Sequence, residues 1–227
     1  MHREIIITKD GSHSISIPEL NVTYHSVHGA IQESQHVFIK AGLMDSGLFD
    51  YVGLHHILEV GFGTGLNALL TLKEADQHKN RIYYTAIEPD PLTKDEYSLL
   101  NYCEQLNIPA YQSLFEKMHQ CGWEEMFEVT DNFRITKRRC KLTDFTTNDL
   151  FDIIYFDAFA PAAQPELWTK DIFEKLYALM KPGAILVTYC SKGEVRRNMQ
   201  ATGFKVEKVP GPPGKREMIR AYRSNIQ

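Results

Sequence analysis

Cysteine is scarce in this 227-residue sequence: the four present, Cys103, Cys121, Cys140 and Cys190, stand far apart and form no C-x-x-C pair. That excludes a zinc site built on paired thiolates and a thioredoxin-like redox motif, and leaves idle thiols of a reducing compartment. Long apolar runs are missing too. No segment approaches the roughly 20 residues of a membrane span, and no charged-then-apolar leader opens the chain, so a cytoplasmic protein with no membrane partner is expected. Positive charge is not in excess: the formal net charge is −4, which argues against coating nucleic acid by bulk attraction and requires any polyanion to meet a local basic patch. His25, His28 and His36 lack a carboxylate or cysteine at a recognised ligand spacing, so no metal is expected. No internal repeat, low-complexity tract or linker interrupts the chain. With 43% hydrophobic residues, one domain with a real core is implied over 1–227, a 1–50 extension followed by a core over 51–227.

What is present is punctuated periodicity. "REIIITKDGSHSISIPEL" places two short β-rich runs around Asp10-Gly11, a dipeptide suited to the φ > 0 positions of a hairpin. From Gly29, residues Ala30, Ile31, Ser34, Val37, Phe38 and Ala41 fall on one helical face, with Gly42 as the expected stop. "HHILEVGFGTGLNALLTLKEA" reads as a buried strand, a glycine turn and a helix from about Leu66. Further strands are expected over 82–88, 133–136, 152–157, 184–189 and 204–209, with helices over 91–103, 165–180 and 194–202. A last strand over 217–222 follows "GPPGK", too short a connection for a crossover helix. The pattern predicts an α/β fold: a doubly wound, mostly parallel sheet with an antiparallel C-terminal strand and an N-terminal β-hairpin.

The glycine loop "LEVGFGTGLN" (58–67) lacks the lysine and hydroxyl of a phosphate-cradling P-loop, and Leu66 stands where a dinucleotide fingerprint needs its third glycine. What remains is an acid, Glu59, two residues before Gly61, then Phe62, Gly63, Thr64, Gly65 and Asn67. An acid there suits a cationic ligand such as S-adenosylmethionine (SAM), which carries a sulfonium and an α-ammonium. Glu88 lies 23 residues beyond Gly65 at the end of the next strand, where an acid accepts ribose hydroxyls. Asp144, beside Phe145, follows the third strand and is positioned for an adenine amino group. All three acids are expected at carboxyl ends of strands, where ligands of such sheets bind.

The stretch "DIIYFDAFAPAAQPELW" (152–168) delivers Asp157 from an apolar strand into a loop of aromatics and prolines. A carboxylate so placed is costly unless paired or employed. The strand is expected beside the glycine-loop strand, which makes Asp157 the candidate catalytic residue. Phe159 and Trp168 offer stacking surface to a planar group.

With "YHSVHGAIQESQHVFI" (24–39), "EVGFGTGLN", "FDAFAPAAQPELWT", "VRRNMQATGF" (195–204) and "GKREM" (214–218), nearly the whole chain resembles the methyltransferase domain of the MnmC family, bacterial enzymes of tRNA wobble-uridine modification. The resemblance implies a Rossmann-like class I SAM-dependent methyltransferase. Its implied activity is N-methylation of the 5-aminomethyl group of a wobble uridine, usually 2-thiolated, with tRNA as partner. It implies that Tyr24, His28 and Glu33 line the acceptor pocket, and that Lys215 and Arg216 contact phosphate or the wobble base. In fused members of the family a flavin-dependent oxidoreductase domain follows. No second glycine fingerprint appears here, so no FAD and no oxidative step are expected.

In this reading Asp157 orients the amine and stabilises the charge returning to nitrogen, and is expected to be a weak base, with water carrying the proton away. The basic run "KRRCK" (137–141) is a candidate tRNA contact or a solvated face. Two alternatives stay open. One is a small-amine methyltransferase or a polyamine synthase of the spermidine type; the other is a catalytically silent tRNA-binding module, which would need neither the glycine loop nor Asp157.

Overall fold

Strand patterning and the glycine turns lay out the frame on which the acids sit. The computed structural model describes residues 2–224. The Asp10-Gly11 turn joins β1 (Glu4–Ile7) to β2 (His13–Ile17), and β3 (Val22–Thr23) completes a small antiparallel sheet. Helix α1 (Ala30–Ser34) then runs without interruption into a π-helical stretch over Gln35–Leu43. The helix does not stop at Gly42. A Cβ there would stand 3.0 Å from Val187 and 3.1 Å from Tyr155, so Gly42 lets the helix lie close on the sheet. The left-handed Gly47 (φ 76°) ends it.

The main sheet holds β4 (Leu54–Val60), β5 (Arg81–Ile87), β6 (Met126–Thr130), β7 (Phe133–Arg138), β8 (Phe151–Phe156), β9 (Met180–Thr188), β10 (Lys205–Pro210) and β11 (Glu217–Tyr222). Their order is β10-β11-β9-β8-β4-β5-β7-β6. Between β4 and β5 lies α2 (Leu66–His78), and α3 (Lys94–Tyr97), α4 (Tyr102–Gln105) and α5 (Gln112–Gln120) follow β5. Helix α6 (Lys170–Ala178) precedes β9 and α7 (Gly193–Thr202) precedes β10.

The doubly wound fold is as the sequence predicts, and β8 does pair in parallel with β4. The differences are local. A second reversed strand, β6, pairs antiparallel with β7 at the sheet edge; Met126, at its start, is 55% exposed, so its apolar pattern is weak. The helix predicted over 91–103 is broken into α3 and α4. Asn101 at the break docks the N-terminal hairpin instead, accepting from the His13 amide at 2.8 Å and donating to the Gly11 carbonyl at 3.0 Å. Strand alternation divides the core in two: Ile153 and Tyr155 face the side covered by α1 and α2, and Ile154 and Phe156 the side covered by α6 and α7.

Candidate active site

At the carboxyl ends of β4, β5 and β8 the chain leaves a cavity of about 380 Å³, within the size range of small-molecule sites. Its floor is the glycine loop. The Gly61 and Phe62 amides both donate to the Ile87 carbonyl, tying the loop to β5. Gly61, Gly63 and Gly65 all have positive φ, so the loop curls without side chains and leaves its backbone open to a ligand. Gly61, Phe62, Gly63, Thr64 and Asn67 line the cavity. Gly65 does not; it turns the chain into α2.

Glu88 lines the cavity, 8% exposed, with one oxygen accepting the Gly63 amide at 3.0 Å and the other the Asp90 amide at 2.9 Å. Burial raises its pKa, and the two amides offset part of that rise. Glu59 lies elsewhere than expected. It is fully buried beneath the loop, does not line the cavity, and burial holds its pKa well above the usual carboxylate range. It reaches the cavity only through Asn67, whose Nδ2 donates to Glu59 at 3.0 Å and to Asp157 at 2.9 Å.

Asp144 and Phe145 are also displaced from their expected places. Asp144 is exposed and accepts from the Thr143 hydroxyl, and Phe145 is buried in the core against Leu58 and Phe156. The adjacent Lys141, Leu142 and Thr143 line the cavity in their stead. Trp168 is not a stacking surface: it is 3% exposed, packs on Phe156 and donates its indole N–H to the Phe159 carbonyl at 2.9 Å. It braces the loop that carries Phe159, whose ring does face the cavity and meets Tyr24 edge-on at 5.2 Å.

The N-terminal residues divide similarly. Tyr24 lines the cavity, while Glu33, His28 and Lys215 stand behind it. Glu33 is ion-paired with Lys215 at 2.5 Å and accepts the Ser26 amide, so Lys215 is not a free phosphate ligand. The Lys215 ammonium also sits 3.9 Å from the centre of the Tyr189 ring, whose hydroxyl donates to the Ala158 carbonyl next to Asp157. Gly214 explains its place in "GKREM", because any Cβ there would overlap the His28 ring. Arg216 is exposed. The three histidines are dispersed: His25 is buried against Ser14, His28 meets Lys9 and His36 meets the Pro210 carbonyl.

Two cavity residues carry no sequence signal. Arg3 crosses from β1 to the loop after β5, bound at 2.7 Å to the Asp90 carboxylate. His25 looked like one of three scattered histidines and is instead a neutral wall residue, its pKa held down to about 4, chiefly by burial.

Known proteins resemble this chain in sequence and fold. Residues 113–224 match a family described as S-adenosyl-L-methionine-dependent methyltransferase. Over 210 residues, 86% of the chain, the sequence is 33% identical to the tRNA 5-methylaminomethyl-2-thiouridine biosynthesis bifunctional protein MnmC of Leptospira interrogans. It is 30% identical over 232 residues, 96% of the chain, to the protein of the same name from Cupriavidus metallidurans. The chain spans about a third of the length of these relatives, 32% and 33%. MNMC2 from Aquifex aeolicus superposes with a TM-score of 0.80 at 25% identity, over 99% of this chain and 71% of that one. The chain belongs to the S-adenosyl-L-methionine-dependent methyltransferases. Spermidine synthase from Thermotoga maritima, with a TM-score of 0.55 at 14% identity over 99% of this chain and 69% of that one, shares the fold alone.

A methyltransferase site must suit a cationic cofactor, and the residues here fit it. A Cβ on Gly61 or Gly63 would crowd the cradle, each Glu88 oxygen accepts one amide and keeps a free lone pair, and Val60, Ile87 and Leu142 supply apolar wall. Asn67 Oδ1 is buried at the cavity wall with no hydrogen-bond partner among the described residues, a spare acceptor for an ammonium. Asp157 adds charge of the right sign. Its pKa is pushed up to about 7, first by burial and next by Glu33, against the Asn67 hydrogen bond and Lys215.

The methyltransferase should therefore gain activity as pH rises through the neutral range, because Asp157 acts as the anion. Removing the Glu33 charge should let Asp157 ionise earlier. Glu33→Gln, whose amide oxygen can still accept the Ser26 N–H, should move the acid limb of kcat/KM down by roughly 0.5–1 unit. The acceptor amine titrates identically in both proteins, so the difference reports the enzyme. An unmoved or raised limb would show that Glu33 does not act on Asp157.

Proposed function

We propose that this methyltransferase N-methylates the 5-aminomethyl group of a uridine, usually 2-thiolated, at the tRNA wobble position. The observation that carries the reading is Asp157, held by Asn67 at the end of the cavity beside the edge-on pair Tyr24 and Phe159. A pyrimidine has an apolar face for those rings, and its aminomethyl arm needs an anion at its end. The names of the relatives, which refer to tRNA 5-methylaminomethyl-2-thiouridine, support the same acceptor. The likeness to spermidine synthase is one of fold and does not favour a small amine.

When bound, the cofactor supplies a methyl group made electrophilic by the sulfonium. The chain's own residues prepare the amine. An aminomethyl group is protonated near neutral pH, and each unit by which its pKa exceeds ambient pH adds about 1.4 kcal/mol to reaching the nucleophile. Asp157 accepts the amine's N–H and orients the lone pair along the line of attack. Its buried setting makes it a better base than a solvated aspartate, so it can take the proton directly rather than leave that to water. Asn67 Nδ2 anchors the carboxylate so that its remaining lone pairs face the cavity. Tyr24 stays a neutral phenol, its pKa raised chiefly by burial, and Phe159 adds a second ring that limits water at the amine.

Within "KRRCK" Lys137 is fully buried and is not proposed as a phosphate contact. Lys141 is an exposed cation on the cavity wall itself, and further exposed cations stand at Lys192 on the loop after β9, Arg197 on α7 and Arg216 on the β10–β11 turn. Incubation with labelled SAM and tRNA bearing aminomethyluridine, followed by nucleoside analysis, tests the acceptor; label in a free polyamine and none in tRNA would defeat it. Arg197→Ala with Arg216→Ala should weaken tRNA binding and flatten its log K against log salt slope by about one to two, while SAM binding barely responds. A slope that stays at the wild-type value would remove these arginines from the tRNA surface.

A further inference from the structure

Behind the glycine loop, on the side away from the cavity, lies a pair that the chemistry above does not use. His119, near the end of α5, donates its Nε2–H to the Thr64 carbonyl at 3.1 Å. That carbonyl can only accept, so the proton is on Nε2. The ring is stacked on Tyr97 at 4.4 Å and 14°, meets Phe115 edge-on at 4.9 Å and lies 5.1 Å from Phe62. It also fills the space that a side chain at residue 65 would take, since a Cβ on Gly65 would stand 2.9 Å from Nε2. The backbone carbonyl of His119 in turn accepts the ammonium of Lys137 at 2.6 Å.

Lys137 is fully buried. Its ammonium faces that carbonyl, the Trp123 ring at 4.6 Å and the Phe62 ring at 5.8 Å, and the ion pairs among the described residues do not include it. A buried cation without an acid is costly, and an apolar side chain of the same length would pack there at lower cost. Stability alone therefore does not account for it. The chain Lys137 to His119 to Thr64 ends on a residue of the cavity floor, and Phe62, whose ring lies 5.1 Å from His119 and 5.8 Å from the Lys137 ammonium, is another.

We propose that His119 and Lys137 are positioning residues that set the glycine loop for the cofactor: His119 by fixing the Thr64 carbonyl, Lys137 by fixing His119. Burial holds the imidazole pKa down to about 3, with Lys137 adding to the fall, so the ring stays a neutral Nε2–H donor throughout the working range. The inference rests on the methyltransferase assignment and not on the identity of the acceptor. Its test accordingly uses no tRNA.

Dissociation constants for SAM, measured by equilibrium dialysis, and thermal unfolding of the ligand-free protein separate a positioning role from a packing one. His119→Leu should weaken SAM binding by about 5- to 50-fold, the range expected when a buried carbonyl loses its donor. Lys137→Met should weaken SAM binding about 3- to 10-fold, while its unfolding temperature stays level or rises because a buried charge is gone. His119→Gln, which retains an N–H of similar reach, should bind within about threefold of wild type. Wild-type SAM affinity in folded Lys137→Met, or a His119→Gln protein as weak as His119→Leu, would overturn the proposal. If His119→Leu does not fold, Lys137→Met and His119→Gln decide it. Wild-type protein that fails to bind SAM would instead indict the cofactor assignment.

Discussion

Asp157→Asn is expected to slow methyl transfer to aminomethyl-bearing tRNA by about 2–4 kcal/mol of transition-state free energy, roughly 30- to 1,000-fold. The substitution keeps the shape. Asn67 Nδ2 can still donate to the amide oxygen at position 157, and the amide at position 157 can still be held to the Val60 carbonyl, so the loop after β8 has no reason to move. What is lost is the anion that accepts from the amine and balances the charge growing on nitrogen. SAM affinity should change far less, because Glu88, the glycine cradle and the apolar wall are untouched. Single-turnover rates at saturating SAM and tRNA isolate the chemical step. A variant that turns over near the wild-type rate would end the catalytic assignment of Asp157 and leave it a structural acid. The acid limb near pH 7 should also flatten in the variant, since the group that titrates there is gone.

Local pattern carried the frame well and the outer half of the site poorly, and the division has a physical reason. Strand β4, the glycine turn and α2 are written in contiguous residues, and so are the Asp10-Gly11 hairpin and the strand that ends at Asp157. Each needs only its own alternation and its own turn glycine. The residues misplaced by sequence reasoning are those whose partner is remote. Lys215 looked free because Glu33, its ion-pair partner, lies on the first helix. Trp168 looked like a stacking surface because nothing local shows that its N–H belongs to Phe159. Asp144 had the right address, yet the turn over Lys141–Phe145 aims its neighbours Leu142 and Thr143 at the cavity instead. Lys137, read as surface charge within "KRRCK", alternates inward on β7 between half-buried neighbours, which the burial pattern of that strand makes plain. Helix α5 did leave a trace, Phe115 and Met118 three residues apart on its buried face, and with it His119 was within reach. Arg3 left none, since a lone arginine near the start of a chain has many uses.

The second large effect is expected at Gly61. Its φ is 92°, a conformation that L side chains rarely adopt, and a Cβ there would lie 2.7 Å from the Asp157 carbonyl oxygen. That oxygen belongs to the backbone of the facing loop and cannot rotate away, so Gly61→Ala must push apart the two walls of the cavity, the turn after β4 and the turn after β8. Backbone strain of about 1–3 kcal/mol adds to the clash, and SAM binding should weaken by 100-fold or more, about 2.7 kcal/mol or above. Gly63 separates strain from collision: its φ is 49°, and its Cβ would meet the edge of the Tyr24 ring at 3.0 Å, a side chain that can yield. Gly63→Ala should therefore weaken SAM binding about tenfold or less. Gly47 is the control for backbone strain, with φ 76° and only the Asp50 carboxylate near, at 3.3 Å, outside the cavity. Gly47→Ala should lower the unfolding temperature and leave SAM affinity unchanged. The order Gly61 far above Gly63, with Gly47 at wild type, is the signature of a loop whose backbone approaches the cofactor. If Gly61→Ala and Gly47→Ala lose stability alike and both bind SAM as the wild type does, the glycine turn is a fold element only and the cofactor lies elsewhere.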